Sequence, residues 1–229
     1  MPDVLSIVVA TANRSRLADI KSLVADLPVE VLTAAEALGD RAPTVSHDGD
    51  TIESNALKKA EVLAAASLMI TIADDAGLEV AALGGRPGAR SARFAGEGAT
   101  DAENNAELLR RMDEVEDDSR DAVFRAVLAL VDPWHGGKAE LVEGRLEGRI
   151  ARTPSGTGGF GYEPLFIVDA EGRTLAELTE DERNEQSHRA RALQALRPKL
   201  EALIRSRLAE AEAVLEGSWV PPPSTRSPV

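Results

Sequence analysis

The sequence predicts an α/β fold in which a mixed central sheet is flanked by helices. Short apolar runs rich in β-branched residues alternate with stretches of helical periodicity, and their irregular order favours a mixed sheet over a strict βαβ repeat. The chain has 229 residues, of which 43% are apolar, and this is enough for one large core. All apolar runs are shorter than the roughly 20 residues that a membrane helix needs, so we expect no membrane partner.

In the first half of the chain, strand and helix signals are separated by polar turns. A β-branched run over 4–10 is typical of a buried strand, and apolar residues then recur at helical spacing over 17–27. This helix should end before Pro28, because proline interrupts the helical hydrogen bonds. A capping-box pattern that begins at Asp50 predicts the start of the next helix. The other predicted elements are a strand over 29–32, a loop over 34–50, the capped helix over 51–67 and a strand over 69–73.

The second half mixes short strands with loops rich in glycine and proline. Capping-box patterns at Thr100 and Thr179 predict two helix starts. Gly144 interrupts an apolar stretch and predicts a break between two strands, and Pro198 should kink or divide the last helix. The predicted elements are a hairpin-like segment over 78–83, a loop over 84–93, a helix over 100–112, strands over 122–131, 139–142, 146–150 and 164–168, and a helix from residue 187.

The chain is expected to form a single domain over residues 1–204. Residues 205–229 are then a C-terminal helix extension that leads into a Pro-rich tail. The tail has four prolines after Gly217, and we predict that it is disordered.

Composition narrows the classes of function. The formal net charge is −13, which argues against general binding to a nucleic-acid backbone, although basic groups gathered in one cleft can still bind a polyanion. The chain has no cysteine, which excludes disulfides and thiolate metal sites. No basic stretch precedes an apolar one at the N-terminus, so a cytoplasmic location is expected.

Two adjacent acids, Asp74 and Asp75, are the first candidate site. They are predicted to lie at the end of an apolar strand, where like charges repel unless a cation joins them. A hard divalent ion with oxygen ligands would do so, and Mg²⁺ is the usual ion beside phosphates. The alternative is a turn in which one acid caps and the other is solvated, and the spacing alone favours this alternative.

The polar turn over 11–16 is the second candidate site. It joins the first strand to the N-terminus of the first helix, where free N–H groups and the helix dipole favour an anion. Thr11 and Asn13 can hydrogen-bond phosphate oxygens, while Arg14 and Arg16 can neutralise them. The alternative is a plain strand-to-helix turn that is capped by Asn13.

Two later segments have residue types that suit a nucleotide. The loop over 156–163 has four glycines in six positions, with Phe160 and Tyr162 as surfaces on which a base can stack. Ser187, His188 and Arg189 open the last helix with a hydroxyl, an imidazole and a guanidinium. The alternatives are a wide hairpin with core aromatics for the loop and a capping or core histidine for His188.

Together these segments are more specific than any one of them. Their order and spacing resemble the inosine triphosphate pyrophosphatase family, the XTP/dITP diphosphatases, from about residue 7 to residue 200. The segments that carry the resemblance are Thr-Ala-Asn-Arg-Ser-Arg (11–16), Thr-Ile-Glu-Ser-Asn-Ala-Leu-Lys-Lys-Ala (51–60), Ala-Asp-Asp-Ala-Gly-Leu-Glu-Val (73–80), Leu-Gly-Gly-Arg-Pro-Gly (83–88), Ser-Ala-Arg-Phe-Ala-Gly (91–96), Gly-Thr-Gly-Gly-Phe-Gly-Tyr-Glu-Pro (156–164) and Ser-His-Arg-Ala-Arg-Ala-Leu (187–193).

The resemblance implies an elongated α/β fold around a long mixed sheet, with an active-site groove between two lobes and usually a homodimer. It also implies Mg²⁺-dependent hydrolysis of ITP, dITP and XTP to the monophosphate and pyrophosphate, which keeps deaminated purines out of nucleic acid. On this pattern Asp75 binds the metal and acts as, or positions, the base for the attacking water, and Asp74 supports it in catalysis and metal binding. The residues implied to bind substrate are Thr11, Ala12, Asn13, Arg14, Ser15, Arg16, Ala76, Phe160, Gly161, Tyr162, Glu163, Arg183, His188 and Arg189.

Several of these positions depart from the family pattern. Ala12 stands where the family has glycine, Ala76 replaces a serine that contacts substrate, and Glu163 is one methylene longer than the usual aspartate. Arg16 and Arg183 stand where lysines are expected.

The acid that usually precedes the second motif is also missing at its place, since Ser46 and His47 stand there. Asp48 and Glu53 remain open as the second metal carboxylate. These departures keep two alternatives alive: a divergent pyrophosphatase for another purine or modified nucleotide, and a nucleotide-binding sensor without turnover.

Overall fold

The structure is a computed structural model that describes residues 4–11, 13–46, 48–134, 137–168 and 170–218. The strands are β1 Leu5–Val9, β2 Val29–Thr33, β3 Ile70–Val80, β4 Asp121–Asp132, β5 Lys138–Ile150 and β6 Phe166–Ile167. The α-helices are α1 Arg14–Leu23, α2 Ala34–Leu38, α3 Ile52–Ser67, α4 Asp101–Arg111, α5 Glu180–Gln186 and α6 His188–Leu215. The predicted tail after residue 218 and the predicted site residue Ala12 lie outside the described residues.

All six strands belong to one mixed sheet with the order β2-β1-β3-β4-β5-β6, which confirms the predicted α/β class. β1 pairs in parallel with β2 and β3, whereas the other neighbours are antiparallel. β1 reaches only the first part of β3, where Val9 lies opposite Ile72. The chain that leaves β1 therefore passes beside the middle of β3.

Helices cover both faces of the sheet. On one face, α1 and α6 pack against β1, β3 and β4 through buried side chains such as Ile20 and Leu196. On the other face, α3 presents the small residues Ala56 and Ala60, which allow its backbone to approach β3 and β4 closely. A further core lies between the distal ends of β3 to β5, α4 and residues 162–178. Within the described ranges, no helix combines the length and the apolar character that crossing a bilayer requires.

Two predicted strand boundaries were wrong. β3 does not end at residue 73 but continues to Val80, so the acid pair and residues 78–80 of the predicted hairpin-like segment belong to this strand, and Ala81–Leu83 form a 3-10 helix. β5 runs without a break through Gly144. A Cβ atom at this position would collide with the backbone of His188 and Ala192, so the glycine makes room for α6 and does not interrupt the strand.

Three helix predictions also need correction. The predicted loop over 34–50 contains α2, which begins with a capping box between Thr33 and Glu36. The N-cap of α3 is Thr51, paired with Ser54, and not Asp50. Of the two effects predicted for Pro198, a kink or a division, the division is wrong, because α6 is continuous through this residue and is anchored on both sides of it by buried residues.

Candidate active site

The acid pair lies in the middle of β3, next to the point where β1 ends. Successive residues of a strand point to opposite faces of the sheet, so the two carboxylates have different neighbours. Asp74 is on the face covered by α1 and α6, where it is 6% exposed. Asp75 is on the face covered by α3.

The neighbour of Asp75 is Lys59, which projects from the sheet-facing side of α3. The Lys59 Nζ atom lies 3.4 Å from Asp75 Oδ1 and also donates to the backbone oxygen of Asp74. Both side chains are largely buried, with 10% of Lys59 and 14% of Asp75 exposed. An ion pair that is partly withdrawn from water is screened less than a surface pair, so Lys59 orients the carboxylate and balances its charge.

Asp74 joins two arginines from distant parts of the chain. Its Oδ2 atom accepts a hydrogen bond from Arg16 Nη1 at 3.0 Å and lies 3.7 Å from Arg189 Nε. Arg16 is in the first turn of α1, and Arg189 is in the first turn of α6. A single buried carboxylate thus brings the two predicted substrate-binding helix starts together.

The turn after β1 has the geometry of a helix cap. The backbone N–H of Asn13 donates to Thr11 Oγ1 at 3.1 Å, and Asn13 Oδ1 accepts from the N–H of Arg16 at 3.2 Å. A cavity of about 630 Å³, called the turn cavity below, is lined in part by Thr11, Asn13, Arg14 and Lys59. The turn therefore both caps α1, as the alternative prediction required, and presents cationic side chains to a cavity. The remaining predicted residue of this turn, Ser15, is in the first turn of α1.

A second cavity of about 530 Å³, called the loop cavity below, adjoins the glycine-rich loop. Asn13 lines both cavities, which therefore lie next to each other at this residue. The predicted residues that line the loop cavity are Asn13, Arg16, Phe160, Glu163, Arg183, His188 and Arg189.

The two aromatics of the glycine-rich loop have different surroundings. Phe160 is 61% exposed at the cavity, and the Arg189 guanidinium carbon lies 6.0 Å from the centre of its ring. Tyr162 is 5% exposed and donates its hydroxyl hydrogen to the backbone oxygen of Ser91 at 2.8 Å. Phe160 is therefore available for stacking, whereas Tyr162 anchors the loop in the core.

Burial alters the ionisation of two groups at the loop cavity. It raises the pKa of Glu163, while the N–H of Phe160 and the positive charges of Arg183 and Arg189 act in the opposite direction. Burial, helped by Arg189, Arg16 and Arg191, lowers the pKa of His188 from 6.5 to about 3. The imidazole is therefore neutral at pH 7 and can donate one hydrogen bond and accept another.

His188 also has a packing role. Its ring stacks on Phe124 with 5.2 Å between the ring centres, as expected for a core histidine that also lines the cavity. Arg183 is held by the backbone, because its Nη1 donates to the oxygen of Leu178 at 2.8 Å. Ala76 is partly buried and packs against the core on the Asp74 side of β3.

Both candidates for a second metal carboxylate already have cationic partners. Asp48 lies 2.5 Å from Lys58, and Glu53 lies 2.5 Å from Arg125. Among the described residues, no three His, Cys, Asp or Glu side chains gather as a metal cluster. The donor set around Asp75 nevertheless suits Mg²⁺, because this ion is commonly held by one or two carboxylates together with substrate phosphates.

Lys59 is a site residue that was not among those predicted from the sequence. Its signal was present, because the helical spacing places Lys59 on the same side as Ala56, Ala60 and Leu63, which are buried. A lysine on an apolar helix face requires a partner, since an unpaired buried charge is costly. The sequence could therefore indicate that Lys59 has an acidic partner, but it could not identify Asp75.

Comparisons with known proteins give a consistent result. The sequence profile of the Ham1 family matches residues 7–199. A dITP/XTP pyrophosphatase of Geobacter sulfurreducens is 46% identical over 194 residues, which cover 85% of this chain and 96% of that protein. A dITP/XTP pyrophosphatase of Shouchella clausii is 44% identical over 199 residues, which cover 86% and 97% of the two chains. The structure of a HAM1 protein from Coxiella burnetii aligns with a TM-score of 0.80 at 38% identity, and covers 86% of this chain and 99% of that one.

Proposed function

The chain belongs to the Ham1 family, and from this premise we propose that it is a dITP/XTP pyrophosphatase. It hydrolyses deaminated purine nucleoside triphosphates, namely ITP, dITP and XTP, to the monophosphate and pyrophosphate. The dITP/XTP pyrophosphatases of Geobacter sulfurreducens and Shouchella clausii match 85% and 86% of this chain. The observation that carries the proposal in the structure is the largely buried pair of Asp75 and Lys59, because Lys59 also lines the turn cavity together with Arg14.

The triphosphate occupies the turn cavity in this proposal. The start of α1 favours an anion there, because its N–H groups and dipole carry partial positive charge. Arg14 and Lys59 add full charges from the cavity wall, and Arg16 does so from the adjoining loop cavity. Thr11 and Asn13 provide polar contacts, and the family pattern adds Ala12 and Ser15 as proposed substrate-binding residues.

Asp75 acts as, or positions, the general base in the proposed reaction. The oxygen of water forms a bond to the α-phosphorus, and its proton passes to Asp75. The bond from the α-phosphorus to the bridging oxygen breaks, and pyrophosphate leaves with that electron pair. Lys59 orients Asp75 and stabilises the negative charge that develops on the phosphates.

Mg²⁺ is the proposed cofactor, with Asp75 as its main protein ligand. Bound there, it would neutralise phosphate charge and orient the reacting groups. Asp74 supports this site through its backbone oxygen, which accepts a hydrogen bond from Lys59. Its side chain lies on the other face of β3. Asp48 and Glu53 are the proposed alternatives for a second carboxylate, and either would have to exchange its present cationic partner for the metal.

The purine occupies the loop cavity. Phe160 offers a stacking surface, while Glu163, Arg183, neutral His188 and Arg189 surround the base edge. Arg189 is the proposed donor to the 6-oxo group that distinguishes deaminated purines from adenine. Gly161 and Tyr162 contribute by holding the loop. Ala76 lies on the same face of β3 as Asp74.

The family also motivates proposals about the whole molecule. We propose two lobes with the substrate groove between them, a homodimer, and a cytoplasmic location where the nucleoside triphosphate pool is found. Residues 1–204 form the proposed catalytic domain and residues 205–229 the extension. Each of these proposals can be tested independently of the proposed reaction. Sedimentation of the purified protein tests the dimer directly.

A substrate panel tests the proposed function. The protein is incubated with Mg²⁺ and each of ITP, dITP, XTP, GTP and ATP, and both pyrophosphate and monophosphate are measured. We expect strong preference for ITP, dITP and XTP with equal amounts of the two products. Release of inorganic phosphate instead of pyrophosphate would contradict the proposed bond cleavage.

The glutamate at position 163 is the reason to include a second class of substrate in this assay. Its longer side chain reaches back to the N–H of Phe160 at 3.3 Å, in the wall of the loop cavity. Turnover confined to another purine or a modified nucleotide would support the divergent enzyme. Tight binding without turnover would support the nucleotide sensor.

A further inference from the structure

The glycine-rich loop is held from outside by two side chains of α4. The backbone N–H of Gly161 donates to Asp101 Oδ2 at 2.8 Å, and Asn105 Nδ2 donates to the backbone oxygen of Gly161 at 2.9 Å. Asp101 and Asn105 are four residues apart, so they lie on one side of the helix. Both hydrogen-bonding groups of a single glycine are therefore bound by one helix face.

Gly161 occupies a critical place in this loop. It is preceded by the exposed Phe160, which lines the loop cavity, and followed by the buried Tyr162. Its φ angle is +61°, a backbone conformation that favours glycine. The orientation of Phe160 relative to the cavity therefore depends on how this one residue is held.

Within the loop, the N–H of Glu163 donates to the backbone oxygen of Phe160 at 3.2 Å, and the N–H of Phe160 donates to Glu163 Oε2 at 3.3 Å, so these two residues are held relative to each other. Four glycines in a short segment leave many conformations open, and fixing each residue costs roughly 1–2 kcal/mol of conformational entropy. The Tyr162 hydroxyl anchors one end at Ser91, and the N–H of Gly158 donates to Ala176 at 3.0 Å near the other end. The contacts from α4 lie between these two anchors.

We propose that Asp101 and Asn105 are positioning residues for the purine, because they hold the Gly161 backbone so that Phe160 and Glu163 face the loop cavity. The inference rests on the proposed function, since it assumes that the base occupies this cavity. Neither side chain lines the loop cavity, so their effect is transmitted through the loop. Hydrogen bonds to an ionised carboxylate are stronger than neutral ones, and Asp101 should therefore contribute more than Asn105.

Kinetics of Asp101→Ala, Asn105→Ala and the double variant test the proposal. Loss of the contacts should raise KM for dITP about tenfold in the double variant, in line with one or two lost hydrogen bonds. The value of kcat should change much less, because Asp75 and Lys59 are untouched. Inhibition by inorganic tripolyphosphate, which has no base, should be unaffected.

Hydrogen exchange provides a readout that does not need activity. Amides over 156–163 should exchange about tenfold faster in the double variant than in the unmodified protein, because the hydrogen bond of the Gly161 N–H is lost. Asp101→Asn keeps an acceptor oxygen, so its KM for dITP and its exchange rates should stay close to those of the unmodified protein. Glu103→Ala is the matched control, because it removes the capping box of α4 without touching Gly161.

The outcomes separate this proposal from the proposed function. If the unmodified protein hydrolyses no nucleoside triphosphate, the function fails, and the exchange rates still decide whether α4 holds the loop. If hydrolysis is normal but exchange and KM are unchanged in the double variant, the positioning role is overturned. An equal effect of Glu103→Ala on exchange would also overturn it, since helix stability would then explain the result.

Discussion

Asp74 and Asp75 are neighbours in sequence, but each belongs to a different set of interactions. The pleat of β3 directs Asp75 towards Lys59 of α3 and Asp74 towards Arg16 and Arg189. Neutralising each side chain should therefore affect a different property of the protein. Substitution at Asp75 should affect chemistry, and substitution at Asp74 should affect the assembly of the site.

Asp75→Asn should lower kcat at least about a hundredfold, because general-base catalysis typically contributes this much or more. The asparagine has nearly the same shape, but it leaves the largely buried Lys59 charge with the backbone oxygen of Asp74 and without a carboxylate, so the free energy of unfolding in urea should also fall by about 1–3 kcal/mol. The measurement is pyrophosphate release under saturating dITP and Mg²⁺. Turnover close to that of the unmodified enzyme would refute the role of Asp75.

Asp74→Asn should lower the free energy of unfolding by about 2 kcal/mol, since a largely buried carboxylate loses its charge between two arginines. It should also raise KM, because Arg16 and Arg189 are no longer drawn together. Urea unfolding and initial rates measure the two effects. A variant with unchanged stability and a collapsed kcat would show that Asp74 takes part in the chemistry directly.

His188 gives the stability of the protein a specific dependence on pH. Its folded-state pKa of about 3 lies below the ordinary 6.5, so between these values the unfolded chain binds a proton that the folded chain does not. The stabilisation is thus complete above pH 6.5 and is lost as the pH falls. Because 1.5 pH units correspond to about 2 kcal/mol, the unmodified protein should lose that much more than His188→Phe between pH 6.5 and pH 5.

Urea unfolding of both proteins at several pH values tests this prediction. The comparison cancels the contributions of other groups, including Glu163, whose raised pKa acts in the opposite direction. Phenylalanine can keep the stacking on Phe124 but cannot bind a proton. Parallel curves for the two proteins would mean that His188 is not buried as a neutral group.

At the scale of elements, local patterns predicted the caps better than the strand limits. The capping boxes at Thr100 and Thr179 depend only on residues three positions apart, so the sequence is sufficient to predict them. The continuity of β5 depends on α6, which is more than 40 residues away along the chain and packs onto Gly144. Composition could not distinguish a glycine that breaks a strand from one that accommodates a helix.

The same limit applies to the candidate site. Sequence order located the acid pair, the turn, the loop and the start of α6, because each has its own local signal. It could not show that Asp74 and Asp75 face opposite sides, since the prediction placed both beyond the end of a strand. Nor could it pair Lys59 with Asp75, because that contact depends on how α3 packs on β3.

Gly144→Ala should lower both stability and activity. The added methyl group must displace the start of α6 from the sheet, and overpacking of this kind costs about 1–3 kcal/mol. The same displacement moves His188 and Arg189, so KM for dITP should rise. Glu147→Ala, at an exposed position of the same strand, is the control for thermal unfolding and KM, and an effect of similar size there would exclude this explanation.

At the scale of the whole molecule, positive side chains are concentrated at the proposed site although the net charge of the chain is negative. The chain has a net charge of −13, yet the charged residues that line the turn cavity are Arg14 and Lys59. In the loop cavity, Arg16, Arg183 and Arg189 lie together with three acids, Asp19, Glu163 and Glu180. The fold gathers the positive side chains by bringing together the starts of α1 and α6 with one face of α3. A polyanionic substrate is therefore attracted locally by a protein that repels polyanions elsewhere.

α6 also links this site to the proposed extension. The Ham1 match ends at residue 199, but the helix continues to Leu215. Arg207 in this part forms an ion pair with Asp132 at the end of β4, where the carboxylate is 4% exposed. Leu208 packs against the same core as β1 and α1.

Truncation after residue 204 should therefore separate stability from catalysis. The free energy of unfolding should fall by about 3 kcal/mol, because the cut removes the ion pair of Arg207 with Asp132 and the apolar contacts of Leu208, whereas kcat should be retained, since all proposed site residues precede the cut. Arg207→Gln in the full chain should reproduce most of the loss, and Arg205→Gln, two residues away at an exposed position, should not. Loss of kcat in folded truncated protein would place the limit of the catalytic domain beyond residue 204.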